Sequence, residues 1–177
     1  MNDLRLLVLD AATETVHLAL VSGERLHTLA LSGGAQASAT LLPAIQRLLA
    51  EQGLAPDRLD AIGFGRGPGA FTGLRSACAV AQGLALGLER PLLALDTLAA
   101  VAESAWQRSG AERVWAALDA RMGEIYAACW QRVGPGDWQV LRPAVLYSPV
   151  SLAQTVALQP AALAGNALAL PELQAAL

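Results

Sequence analysis

The sequence predicts an α/β protein made of two lobes, of which the second is the smaller. Segments of strand length alternate with segments of helical periodicity, and the pattern that opens the chain returns in its second half. Hydrophobic residues make up 54% of the 177 residues and charged residues 15%, so the chain can bury a core. We therefore place an N-terminal domain at 1–109 and a smaller C-terminal domain at 110–177.

Three strands joined by short turns open the first lobe. Residues 4–9 form an apolar run that suits a strand buried on both faces. Residues 15–21 and 25–31 are two further strands, separated by a turn that contains Ser, Gly and Glu. The three segments together predict an antiparallel meander.

Helices and strands alternate after the meander. Ser38 can cap a helix that Gly53 ends, and Pro43 predicts either a kink in this helix or a later start. The remaining segments of the lobe are a strand over 59–64, a helix over 74–88, a strand over 91–95 and a helix that Asp96 or Thr97 caps.

A repeat at the scale of a lobe links the two halves of the chain. Residues 8–11 and 117–120 are each the end of a buried strand that stops in Asp-Ala before a short turn. A duplicated three-strand meander followed by helix, strand and helix is the plan of the actin-like ATPase superfold, which consists of two ribonuclease H-like lobes. Little chain follows residue 141, which predicts a second lobe that is reduced or truncated.

The composition argues against two classes of function. The formal net charge is −3 and lysine is absent, whereas a protein that binds nucleic acid on its own usually carries a basic patch. No apolar run approaches the roughly 18 residues that span a bilayer, and the first residues lack the layout of a signal peptide. We expect a cytoplasmic protein that binds no membrane and whose two cysteines are free thiols.

The turn after the first strand is the first candidate for chemistry. In nucleotide-binding members of the superfold this turn cradles phosphate and usually contains glycine, which lets backbone N–H groups approach closely. Here residues 10–15 contain no glycine and Glu14 would repel a phosphate. Thr13 could still donate a hydrogen bond, and Asp10 could orient a metal-bound water. The alternatives are a structural turn, which we expect, and a vestigial nucleotide site.

Motifs for metal or nucleophilic catalysis are missing from the sequence. His17 and His27 fall in predicted strands without a second histidine at metal-ligand spacing. No Gly-x-Ser-x-Gly elbow is present, and Cys78 and Cys129 lie in no recognisable motif. We therefore expect no catalytic residue, no metal and no cofactor that the chain binds by itself.

The most distinctive segment is the glycine-rich run over 65–75, which joins a strand to the start of a helix. Free N–H groups at a helix start can bind an anion, but the Gly-Lys-Ser/Thr of a Walker loop is absent. The run is either a tight connection with Thr72 near the cap, or an anion or nucleotide contact that involves Gly67 and Gly69.

The helix after this run is unusually rich in small residues, which allow another helix to approach closely. Together with the helix that begins near Ser38 it predicts either a partner or dimer interface, or a core inside the monomer. The residues that would form the interface are Ser38, Leu41, Leu42, Ile45, Thr72, Leu74, Arg75, Ala77, Cys78 and Ala81.

The run over 64–75 resembles the signature of the TsaB family, also called YeaZ, with Ala70 where the family usually has Ser. Residues 7–14, 41–43, 81–85 and 119–126 match further family motifs in the family's order. The resemblance covers residues 4 to about 130 and departs from the family at Ala37, where relatives often have His.

The resemblance implies a subunit that works with other proteins. TsaB proteins resemble their partner TsaD in fold but lack its metal-binding histidines, and the ATPase TsaE joins the pair. The complex transfers a threonylcarbamoyl group to the adenosine next to the anticodon of tRNAs that read codons starting with A. The resemblance further implies a non-catalytic scaffold, a homodimer through the first two helices when alone, tRNA contact only through the complex, and a place for ATP or ADP at the shared interface.

Two other functions remain as alternatives at this stage. A glycoprotease-type peptidase would need a metal site or a nucleophile, and neither is visible in the sequence. A weak ATPase of the actin-like superfold would be expected to have glycine in the turn after Asp10.

Overall fold

The computed structural model describes residues 4–33 and 37–177. Contacts divide the chain into a first unit, Met1–Leu95, and a second unit, Asp96–Leu177. The predicted cap and interface residue Ser38 lies in the first turn of a helix that begins at Ala37, and its side chain lies outside the described part of the chain.

The first unit is built on a five-stranded sheet with the order β3-β2-β1-β4-β5. Its strands are β1 (Arg5–Asp10), β2 (Thr15–Ser22), β3 (Arg25–Ser32), β4 (Ala61–Gly65) and β5 (Leu92–Leu95). Strands β1, β2 and β3 pair antiparallel, whereas β4 is parallel to both β1 and β5. The predicted meander is therefore confirmed, and the sheet has the strand order of a ribonuclease H-like lobe.

Two helices, α1 (Ala37–Glu51) and α2 (Phe71–Leu88), cover one face of this sheet. Leu41, Ile45 and Leu48 repeat at helical spacing and are at most 3% exposed, so α1 buries one apolar stripe against the sheet. Pro43 lies inside α1, on its exposed side. The helix begins before Ser38, so the later start that Pro43 allowed is not observed.

Helix α2 buries a stripe of small side chains instead of leucines. Gly73, Ala77, Ala81 and Ala85 recur every four residues and are its buried positions. A stripe of this kind brings the helix backbone close to strands β1 and β4. The helix ends at Glu89, which adopts the left-handed conformation at φ 52°.

The second unit repeats the plan with four strands in the order β8-β7-β6-β9. Its elements are α3 (Thr97–Ser109), β6 (Arg113–Arg121), β7 (Glu124–Gly134), β8 (Asp137–Tyr147), α4 (Pro149–Leu158), β9 (Ala162–Ala164) and α5 (Pro171–Ala176). Strand β9 runs parallel to β6, as β4 does to β1. The repeat seen in the sequence is thus a repeat of sheet topology, with no counterpart of β5 among the strands of this fully described unit.

Helix α3 packs on the second sheet, although the sequence placed its residues in a domain that ended at 109. Leu98, Ala102 and Ala105 share a buried cluster with Val114 of β6. The Oδ1 atom of Asp96 caps the helix by accepting hydrogen bonds from the N–H groups of Leu98 and Ala99 at 3.0 and 3.1 Å. The contacts of the helix therefore place the change of unit before it, at residue 96.

A second cluster lies on the opposite face of the same sheet. Trp115 is fully buried there with Ile125 of β7 and Leu152 of α4. Its indole N–H donates to the carbonyl oxygen of Gln159 at 3.1 Å, and its ring meets the edge of Tyr147 at a centroid distance of 6.2 Å. Across the described residues, no helix is both long enough and apolar enough to cross a bilayer.

Candidate functional site: the glycine-rich loop and the outer face of helix α2

The turn after β1 is held by its own side chains. The N–H of Ala12 donates to Oδ1 of Asp10 at 2.7 Å, which closes an Asx turn. The hydroxyl of Thr13 donates to the carbonyl oxygen of Thr15 at 3.1 Å and accepts from the N–H of the same residue at 3.3 Å. Asp10 and Thr13, which were candidates for a nucleotide contact, both stabilise the turn.

The glycine-rich loop packs directly on this turn. The N–H of Ala70 donates to the carbonyl oxygen of Ala12 at 2.7 Å, immediately before α2 begins. A Cβ atom at Gly73 would overlap the carbonyl oxygen of Ala11, and one at Gly69 would overlap that of Ala12. These glycines are therefore required for a close approach of backbone to backbone.

Two further glycines of the loop serve the same local packing. Gly67 has φ 89°, in the region that favours glycine, and a Cβ atom there would lie 2.8 Å from the side chain of Leu74. A Cβ atom at Gly65 would overlap the carboxylate of Asp10. The loop thus encloses the Asp10 turn, and Leu74 lies half-buried against it.

Two of the N–H groups beside the glycine-rich loop are bonded within the protein. A cradle needs N–H groups that point at the ligand, whereas the N–H of Ala12 is bonded to Asp10 and that of Ala70 to the turn. Glu14 is exposed beside the turn, where its charge would oppose an anion. The close packing of the glycines agrees with a tight connection, which is one of the two alternatives, and an anion or nucleotide contact at Gly67 and Gly69 stays a prediction.

The second unit contains a counterpart of the Asp10 turn. The N–H of Arg121 donates to Oδ1 of Asp119 at 2.8 Å, which repeats the Asx turn between residues i and i+2. The N–H of Asp119 donates to Oδ1 of Asn166 at 2.9 Å, so a residue two positions beyond the end of β9 helps to fix this turn. Within residues 4–33 and 37–177, no group of three or more His, Cys, Asp or Glu residues could hold a metal ion.

Four of the predicted interface residues belong to the core of the first unit. Leu41 and Ile45 are 1% exposed, and Ala77 and Ala81 are fully buried. They pack on the sheet with Leu7 and Leu9, so a partner cannot reach them in the folded chain. For these four residues the interface prediction is wrong and the alternative of burial inside the monomer is correct.

Five other predicted interface residues, whose side chains the structure describes, are at least partly accessible. Leu42 is 42% exposed, Thr72 and Arg75 are exposed, and Cys78 is half-buried like Leu74. The guanidinium of Arg75 stacks over the ring of Phe71 at 3.6 Å, and that ring is itself 66% exposed. For these positions the interface remains a prediction.

The outer face of α2 also contains residues that were missing from the predicted interface. We define this outer face by its exposed residues, which are Phe71, Thr72, Arg75, Ala79, Gln82, Gly83, Leu86 and Gly87. Arg75 is the one charged residue among them, and a Cβ atom at Gly83 or Gly87 would meet nothing within 4 Å. The signal that could have found them is the spacing of the small residues, which places Ala79 and Gly83 opposite the buried stripe.

Comparisons with known proteins agree with this fold and with these motifs. The family model described as TsaD, tRNA N6-adenosine threonylcarbamoyltransferase, matches residues 32–159. The tRNA threonylcarbamoyladenosine biosynthesis proteins TsaB of Escherichia coli and Haemophilus influenzae are 39% and 45% identical to this chain over 81% and 71% of its length. The solved structure of YeaZ from Pseudomonas aeruginosa superimposes with a TM-score of 0.77 at 43% identity and covers 82% of this chain.

The same comparisons set the extent of the likeness. The chain spans 65% and 53% of the length of the two TsaB relatives and 68% of the YeaZ structure. The matched region contains the glycine-rich loop, helix α2 and the repeat of the Asp10 turn at Asp119. The chain belongs to the TsaB family, also called YeaZ.

Proposed function

We propose that this chain is a non-catalytic subunit of the enzyme system that makes threonylcarbamoyladenosine in tRNA. In this role it binds a TsaD protein, with TsaE joining the pair, and supports transfer of the threonylcarbamoyl group to the adenosine next to the anticodon. The names of its relatives support the pathway, since both TsaB proteins are biosynthesis proteins for this modification.

The observation that carries the proposal is the outer face of α2. An 18-residue helix with a single charge on its solvent side is unusual, because solvent-facing helix positions are normally rich in charged residues. Ala79, Gly83 and Gly87 leave room for the backbone of a second helix, and Phe71 and Leu86 would supply apolar contact area. Such a surface suits a protein partner that packs helix on helix.

The geometry of the glycine-rich loop supports the non-catalytic part of the proposal. The backbone of the loop packs closely against the backbone of the Asp10 turn, and the N–H of Ala70 bonds to the carbonyl oxygen of Ala12. The net charge of −3 further suits a subunit that reaches tRNA through its partners. Catalysis and tRNA contact then belong to the other subunits.

Substitution of Ala79 by Glu tests the outer face. The side chain is exposed, so Ala79→Glu should leave the fold intact while placing an unpaired charge in the contact with a purified TsaD partner. We expect the affinity, measured by isothermal titration calorimetry, to fall by at least about tenfold, because burying an unpaired charge costs several kcal/mol.

The matched control is Ala100→Glu, which makes the same change at an exposed position of α3 in the second unit. It should bind TsaD with unchanged affinity. If both variants bind like the original chain, the outer face is not the contact. If the original chain does not bind TsaD at all, the proposed partnership fails.

A further inference from the structure

The three sulfur atoms in the described part of the chain differ sharply in exposure. Met122 is 98% exposed, the highest value among the large hydrophobic residues that the structure describes. Cys129 is fully buried in β7, and Cys78 is half-buried in α2. Since peroxides must reach a sulfur atom to oxidise it, exposure decides which of these side chains reacts in the folded protein.

Met122 occupies the tip of the hairpin that joins β6 to β7. Arg121 pairs with Glu124, so Met122 and Gly123 form a two-residue loop, with φ values of 54° and 77°. Positive φ at both loop residues is the conformation that such hairpin turns require, and it is usually supplied by Asn and Gly. Met122 therefore holds an unfavourable backbone conformation while its side chain makes almost no contact with the protein.

Hydrogen bonds hold the base of this hairpin in place, so the tip is exposed although the strands beside it are well ordered by these contacts. The carboxylate of Asp119 accepts the N–H of Arg121 at 2.8 Å and pairs with its guanidinium at 3.4 Å. Asn166 in turn accepts the N–H of Asp119 at 2.9 Å. The thioether is thus presented to solvent on a well-anchored support.

The cysteine on the same hairpin is protected for two reasons. Cys129 lies opposite Trp115 on β6, inside the buried cluster on that face of the sheet. Burial also raises the pKa of its thiol, although Arg113 and Arg142 act in the opposite direction. The thiolate is the reactive form, so Cys129 is both inaccessible and held as the unreactive thiol.

We propose that Met122 is a modification site, at which peroxides oxidise the thioether of the folded chain to the sulfoxide. The thioether sulfur attacks one peroxide oxygen, an S–O bond forms and the O–O bond breaks. The sulfur loses two electrons, and hydrogen peroxide is reduced to water after proton transfer between its oxygens. The reaction replaces an exposed apolar tip by a polar group that accepts hydrogen bonds, and it leaves the core untouched.

The digestion pattern of this hairpin allows a direct test. Trypsin cleaves after Arg121 and Arg132, so residues 122–132 form one peptide that contains both Met122 and Cys129. The folded chain is treated with hydrogen peroxide and the peroxide is removed with catalase. The chain is then unfolded in an alkylating reagent, digested and analysed by fragment-ion mass spectrometry, so that an oxidised Cys129 is detected as a residue that is not alkylated. N-acetylmethionine amide in the same tube reports the rate of a fully accessible thioether.

We expect Met122 to gain one oxygen within about threefold of the rate of the free standard, because no protein atoms shield its sulfur. Cys129 should stay reduced in the folded chain and should therefore be alkylated once the chain is unfolded. In urea, Cys129 should lose its protection while the rate at Met122 stays nearly unchanged. The variant Met122→Leu should give no oxygen gain on this peptide in the folded chain.

Two results would overturn the proposal. One is a rate at Met122 in the folded chain more than about tenfold below that of the standard, which would mean that the thioether is shielded. The other is oxidation of Cys129 in the folded chain at or before the rate of Met122. The melting temperature of the oxidised chain, measured alongside, should match that of the untreated chain.

Discussion

Gly73→Ala should destabilise the first unit by about 2 to 3 kcal/mol, because a single added methyl group overlaps a backbone atom that cannot move aside cheaply. Gly73 is buried in the first turn of α2, and its Cβ atom would overlap the carbonyl oxygen of Ala11. To make room, either α2 must shift from the sheet or the Asp10 turn must open. The gain in helix propensity, about 1 kcal/mol, offsets only part of this cost.

Gly83→Ala supplies a control in the same helix with the same chemical change. Gly83 is exposed, and an added Cβ atom would meet nothing within 4 Å, so only the propensity gain remains. The variant should be more stable than the original chain by about 0.5 to 1 kcal/mol. The two substitutions should therefore have opposite signs in urea unfolding monitored by far-UV circular dichroism. Equal effects would show that the loop does not pack on the turn as described.

Trp115→Ala should cost the second unit about 4 kcal/mol, within the range for deletion of a buried aromatic side chain. The substitution removes a fully buried indole, its hydrogen bond to Gln159 and its edge contact with Tyr147. The polar carbonyl of Gln159 would also lose its indole donor. Urea unfolding followed by the fluorescence of the remaining tryptophans measures this loss, because all of them lie in the second unit.

Leu158→Ala is the matched control for Trp115→Ala. Leu158 ends α4 with 87% of its surface exposed, so its deletion should change stability by less than about 0.5 kcal/mol. A cost below about 1 kcal/mol for Trp115→Ala would contradict the packing of this cluster.

The strand pattern could be predicted because it depends on local signals. The apolar run over 4–9 and the glycine-containing turn before 25–31 determine the meander without reference to the rest of the chain. The repeat of Asp10 at Asp119 was also visible, and both residues close the same kind of turn. Hydrogen bonds of this type join residues close in sequence, so they can be predicted from the local sequence alone.

The interface was harder to predict because helical periodicity shows that two faces differ but not what each face contacts. The side chains of Ala77 and Ala81 are small enough to pack closely on either a sheet or a partner protein. In the structure they pack on the sheet. The four-residue spacing of Ala79 and Gly83 was present in the same sequence, but small residues carry a weak hydrophobic signal. Which stripe faces inward follows from the position of β1 and β4, which is non-local information.

Local sequence signals were also insufficient to predict the unit to which α3 belongs. The cap at Asp96 was predicted correctly as one of two alternatives, since the residues involved are neighbours in sequence. Leu98 and Ala102, however, are equally suited to pack on either of two sheets with apolar faces. Their contact with Val114 follows from the topology of the second unit rather than from the helix itself.

The central claim, that this chain is a required subunit of tRNA threonylcarbamoylation, is tested most directly by reconstitution. Threonylcarbamoyl transfer to tRNA is measured in a mixture of TsaD, TsaE and TsaC with ATP, with and without this chain; TsaC is the protein of this system that supplies the threonylcarbamoyl-adenylate. We expect product to form only when the chain is added, and we expect Ala79→Glu to lose this gain whereas Ala100→Glu keeps it. Equal product with and without the chain would show that the chain is not a required subunit.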